Sequence, residues 1–219
     1  MKLLLIYLAI LLLGVVSYTT IKKTASKKDL YFKFLSFALV TLFTYTILDR
    51  QAKYTFVLYT LISSLAIYEV ACVTRNISHG YADKAVAIVL LALFIYTSAV
   101  PGFPHSKLFL CVLSFDAFSQ FFGQIFGRHP LSRTISPNKT IEGCAGGLLV
   151  CVLTSFYTFG SLWNGLYMAV SALSGDLLAS FVKRRSGVKD FSRLLPGQGG
   201  VLDRFDSYIL TSVCYLPLL

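Results

Sequence analysis

Long apolar runs separated by short, mostly basic links make up most of the chain. A helix needs roughly 20 predominantly apolar residues to cross a hydrocarbon core. Runs that approach this pattern fall at 1–17, 30–48, 54–73, 85–103, 108–127, 144–160, 163–182 and 207–219. The pattern predicts an all-α, polytopic integral membrane bundle of about eight transmembrane helices, a single membrane domain over residues 1–219. Only 13 residues follow Asp206, so the last run is short by roughly two turns, and tilting, local thinning or partial insertion would accommodate it. The opening run could also serve as a cleaved signal peptide, but an uncleaved anchor better suits the lysines at 22, 23, 27 and 28.

Composition supports the membrane reading. Hydrophobic residues form 56% of the chain, charged residues only 14%, and mean hydropathy is +0.70, values that exclude an ordinary soluble domain. A net charge of +10 would suggest nucleic acid in a soluble protein, but here the cations sit in the links between runs. With the N-terminus outside, 16 of the 20 lysines and arginines fall inside, leaving Lys2, Arg50, Lys53 and Lys107 outside. This bias places both long polar loops, 128–143 and 183–206, in the cytoplasm and both termini outside. Cys72, Cys111, Cys144, Cys151 and Cys214 lie in or beside apolar runs without a C-x-x-C spacing, as packing residues do. His79, His105 and His129 share no triad or ligand spacing, and no G-x-S-x-G motif occurs, so nucleophilic hydrolase chemistry has no support.

Function should reside in the second half. Residues 1–107 read as a helical scaffold whose one intramembrane acid, Glu69, is expected at the interface, whereas 108–219 hold six of the ten acidic residues. Asp116 and Asp176 fall within spans, where a charge costs at least about 2.5 kcal/mol and is a functional candidate. Asp203 and Asp206, three apart in Asp203-Arg-Phe-Asp206, share a helix face that could hold one ion or one ion pair. Before them, Gly197, Gly199 and Gly200 would let backbone amides approach an anion closely. In the other polar loop, Ser136-Pro-Asn-Lys-Thr140 carries hydroxyl, amide and ammonium groups on a proline-shaped turn, with Glu142 next and Gly143 and Gly147 at close-packing spacing.

The tail segment resembles a family signature. Ser180-x-Val-Lys-Arg184, Lys189-Asp190, Leu195-Pro196, Gly199-Gly200 and Asp203-Arg-Phe-Asp206 are similar to the signature of phosphatidate cytidylyltransferases, or CDP-diacylglycerol synthases. The loop 136–143 and Ser174-Gly-Asp176 look like that family's other motifs, so the resemblance covers roughly 112–210. One position departs, since Gln198 stands where the family has histidine; Gln can still hydrogen-bond a phosphate.

The resemblance implies transfer of CMP from CTP to phosphatidic acid, with Mg2+ as cofactor. It implies Asp176 and Asp203 as first metal ligands, joined by Asp206 and Asp190. Lys183, Arg184 and Lys189 are the expected catalytic cations, and Ser136, Asn138, Lys139, Arg204, Gln198, Gly199 and Gly200 the expected substrate contacts. Expected partners are CTP, phosphatidic acid and the bilayer, with room for a homodimer and none for nucleic acid. The expected location is a bacterial cytoplasmic membrane with the active-site loops facing the cytoplasm. Rival readings are a CTP-dependent transferase or kinase acting on another lipid, such as a polyprenol, and a non-catalytic membrane carrier or scaffold.

Overall fold

The computed structural model describes residues 27–50, 52–75, 80–132, 134–192, 194 and 199–219. Within them the apolar runs fold as helices α1 (Lys27–Leu48), α2 (Ala52–Val73), α3 (Gly80–Thr97), α4 (His105–Phe126), α5 (Ile141–Phe159), α6 (Leu162–Arg185) and α7 (Leu202–Tyr215). Local sequence sets several of their ends. The Thr140 hydroxyl caps α5 by accepting from the Gly143 amide at 3.1 Å, and Ser161 caps α6 by accepting from Asn164 at 3.3 Å. Between these helices Gly160, at φ 70°, supplies the left-handed turn that ends α5.

Four of these helices are long and apolar enough to cross a membrane: α2 (from Lys53), α4, α5 and α6. The expectation of about eight spans is therefore supported only in that coarser form, and its first run, 1–17, lies outside the described residues. Leu149, Leu153, Phe156, Trp163 and Val170 stand exposed on α5 and α6, a surface suited to lipid and not to water.

The shortness of the last run has a structural reason. Helix α7 packs on α6, α3, α4 and α2 together, so it is shielded by protein instead of facing lipid along its length. It can therefore be only 14 residues long and bury Asp206, Ser207, Thr211 and Ser212. A buried aromatic group joins its middle to the rest: Tyr59 stacks on Phe94 at 4.0 Å between ring centres, and its hydroxyl lies 2.6 Å from that of Tyr208 and 3.0 Å from His105 Nδ1.

The all-α expectation misses one element. Residues Pro130–Ser132 (β1) and Ser136–Thr140 (β2) pair antiparallel, Pro130 opposite Thr140 and Ser132 opposite Ser136, with an irregularity between. In a two-stranded ribbon every strand has a free edge, so Pro137 is tolerated within β2. Residues 134 and 135 form a turn, ahead of the Ser-Pro-Asn segment expected to form it.

Candidate active site

The hairpin lies against one end of the bundle because α4 and α5 meet closely there. A β-carbon on Gly143 would stand 2.5 Å from the Ser119 carbonyl oxygen, and one on Gly147 would strike the Ser119 side chain, so the spacing noted in the sequence does serve close packing. At the hairpin's base, the Glu142 carboxylate accepts from the Arg128 and His129 amides at 3.1 and 3.3 Å and lies 2.6 Å from His129 Nδ1. The hairpin is thereby fixed to the first turn of α5. From β2 the Lys139 ammonium reaches α6 and pairs with Asp176, both side chains about a quarter exposed. Arg184 Nε donates to the Ile135 carbonyl at 3.3 Å, so a second contact joins the hairpin to the end of α6.

Asp176 is brought to α7 by the residue before it. A β-carbon on Gly175 would lie 2.7 Å from the Asp206 carbonyl oxygen and 3.1 Å from Ser207 Cα, closer than a side chain allows. The close approach places Asp176 of α6, Asp206 of α7 and Asp116 of α4 within electrostatic reach of one another, opposed by Lys139, Lys183 and Arg204. Hydroxyls accompany them: Ser207 donates to Asp116 at 3.2 Å and Ser180 to Asp176 at 3.3 Å.

Asp203 occupies a different environment. Its side chain is 3% exposed, and its Oδ1 accepts from Lys183 Nζ at 2.7 Å while Oδ2 accepts from the amides of Phe191 at 2.9 Å and Gly200 at 2.8 Å. Lys183 also lies 5.4 Å from the centre of the Phe191 ring. Gly199, at φ 86°, turns the chain in the left-handed region, and a β-carbon there would meet Asp203 Oδ2 at 2.8 Å. Of the three glycines expected to bring amides to an anion, Gly200 donates to the protein's own Asp203 carboxylate, and Gly197 lies outside the described residues.

Glu69 supplies the other half of this arrangement. It is 1% exposed and accepts from Ser192 Oγ at 2.6 Å, from the Val201 amide at 2.9 Å and from the Leu202 amide at 2.8 Å. The carboxylate, expected at the membrane interface, is enclosed by protein against the polar loop. Asp83 on α3 approaches the same end, 3.8 Å from Arg185.

The remaining expected site residues are dispersed around this centre. Asn138, Arg184, Lys189, Asp190 and Arg204 are exposed and Ser136 is partly so. Lys189 and Asp190 line a surface recess with Val188 and Ser192. Gln198 lies outside the described residues.

A sequence profile of the cytidylyltransferase family matches residues 1–219, the full length of the chain. The chain belongs to the cytidylyltransferase family. Among curated relatives, proteins named phosphatidate cytidylyltransferase are 43% identical over 121 residues in Staphylococcus saprophyticus and 44% identical over 121 residues in Staphylococcus aureus. Each of these matches takes in 51% of this chain and 45% of the relative. The protein of the same name from a Synechocystis species is 42% identical over 114 residues, 48% of this chain and 39% of the relative. The match thus spans less than half the length of these relatives.

Near Asp176 the available donors are carboxylate and hydroxyl oxygens, the kind that a hard divalent ion takes. They belong to Asp176, Asp206 and Asp116, which lie within electrostatic reach of one another, and to Ser180 and Ser207, whose hydroxyls donate to Asp176 and Asp116. As they stand, no three His, Cys, Asp or Glu among the described residues are gathered tightly enough to chelate one ion. The Oδ2 of Asp203 is already used twice by backbone amides, and Asp190 lies exposed at the surface. Sequence reasoning missed Glu69 as a contact of the polar loop 183–206. The available signal was a lone carboxylate in an apolar helix; its partners are mostly backbone amides more than a hundred residues away, which leave no mark in the sequence.

Proposed function

We propose that the chain transfers CMP from CTP to phosphatidic acid, giving CDP-diacylglycerol and pyrophosphate. The names of the relatives and the family match supply the reaction. The observation that carries it to these residues is the convergence, at one end of the bundle, of two lysine–aspartate pairs, Lys139 with Asp176 and Lys183 with Asp203. Arg184, Lys189 and Arg204 stand exposed around them.

In this reading a phosphate oxygen of phosphatidic acid attacks the α-phosphorus of CTP, a new P–O bond forms, and the bond to the β-phosphate oxygen breaks to release pyrophosphate. The attacking oxygen is already anionic, so no side chain need remove a proton, in keeping with the lack of a histidine constellation. What remains is alignment of two anions and neutralisation of the charge they bring together. Lys139, Lys183, Arg184, Lys189 and Arg204 are assigned to phosphate oxygens, and Ser136, Asn138 and Gln198 to polar positioning. Asp176 and Asp206 would hold Mg2+, which would supply further neutralisation at the phosphates. Asp203 would join them through Oδ1 only where Lys183 withdraws. The acyl chains remain in the bilayer while the headgroup meets the nucleotide on the cytoplasmic face of a bacterial membrane.

Pyrophosphate release from CTP by the detergent-purified protein, with and without phosphatidic acid and Mg2+, tests the reading. Release that requires both, and is lost in Asp176→Asn, is expected. Release of CDP with a polyprenol acceptor, or no turnover by folded protein, would overturn it.

A further inference from the structure

We infer that Glu69 is a positioning residue: from α2 it caps the first turn of α7 and so fixes where Asp203, Arg204 and Asp206 stand. The N-cap residue of α7 is Val201, which has no side-chain acceptor to offer. The first amides of a helix still need partners. Here Gly200 donates to Asp203, while Val201 and Leu202 donate to Glu69, so the cap is divided between one carboxylate of the helix itself and one from a separate helix. Glu69 also accepts from Ser192 and thereby holds the preceding loop to the same point.

The fit leaves little slack. A β-carbon on Gly200 would lie 2.6 Å from Glu69 Oε1 and 2.7 Å from Oε2. A carboxylate is the suitable group because every partner is a donor: Oε1 faces Ser192 and Val201, and Oε2 faces Leu202. A glutamine would turn its own NH2 toward one of these donors in either orientation of the amide. A negative charge also suits the positive end of the helix dipole. Since Asp203 and Asp206 ride on the turn that Glu69 holds, its displacement moves both of them relative to Lys183 and Asp176.

Two measurements test this, and only the kinetic one rests on the proposed reaction. Hydrogen exchange on the intact detergent-solubilised protein should show the amides of Val201 and Leu202 exchanging at least tenfold faster in Glu69→Gln, with the peptides of α4 and α5 unchanged. In the same variant kcat for CTP turnover should fall at least tenfold, with a smaller change in KM. Gly200→Ala should lose activity for the same reason. Adding Glu69→Asp, which shortens the carboxylate by one methylene, should make the double variant at least threefold faster than Gly200→Ala alone. Wild-type exchange at Val201 and Leu202 in Glu69→Gln, or a double variant no better than Gly200→Ala, would overturn the inference. If the wild-type protein shows no cytidylyl transfer, the proposed reaction fails while the exchange measurement still decides the role of Glu69.

Discussion

Asparagine at position 203 should damage the protein in a way that asparagine at position 176 does not. The Asp203 side chain is 3% exposed, that of its partner Lys183 12%, and the two oxygens together accept from one ammonium and two backbone amides. In Asp203→Asn the new NH2 faces either the ammonium or the two amides, so no rotamer keeps all three bonds. Removing one member of a buried ion pair costs about 3–5 kcal/mol, and a buried donor left without a partner about 1–3 kcal/mol. Residual exposure of Lys183 places the expected loss near the bottom of the first range, about 3 kcal/mol. For Asp176→Asn the pair with Lys139 is about a quarter exposed on both sides, and the expected loss is about 1 kcal/mol. At about 2–4 °C per kcal/mol for a chain of this size, the thermal midpoints should fall by about 6–12 °C and about 2–4 °C respectively. Thermal unfolding in detergent, beside pyrophosphate release, measures both quantities. Equal shifts for the two variants, or a smaller one for Asp203→Asn, would refute the claim that Asp203 organises the loop from within.

Other consequences can be checked on the same preparation. Asp176→Asn should insert normally and lose CTP-dependent turnover by at least about 100-fold, as expected for loss of a group acting directly on a phosphate-bound ion; near-normal turnover would remove Asp176 from the site. Gly175→Ala forces a β-carbon to within 2.7 Å of the Asp206 carbonyl and should cost about 1–3 kcal/mol through overpacking, read by thermal unfolding, together with much of the activity. Gln198→His should retain or raise activity, and complete inactivation would show that this position is not used as its relatives' resemblance implies.

The apolar runs were legible because hydropathy reports directly on the cost of placing a side chain in lipid. The same signal could not tell a helix facing lipid from one enclosed by protein, so α7 read as a span that was too short, although α6, α3, α4 and α2 surround it. The hairpin was hidden because Pro137 speaks against a strand unless the ribbon's free edges are known. Within the site, Asp176 and Asp203 stood out as carboxylates in unusual settings, and each does meet a lysine. The pairings themselves were not legible: Lys139 and Asp176 lie on different elements, and Glu69 meets main-chain groups that any residue could supply.

The cap that Glu69 extends to α7 limits how far this protein can be divided. A fragment beginning at residue 108 would retain every motif that carries the family resemblance, yet it would lack the acceptor for Val201 and Leu202 and the Asp83 neighbour of Arg185. The half that carries these motifs is therefore not a transplantable module: grafted onto another set of membrane helices, it would need an acid supplied at the same height on a neighbouring helix before its own signature could take shape.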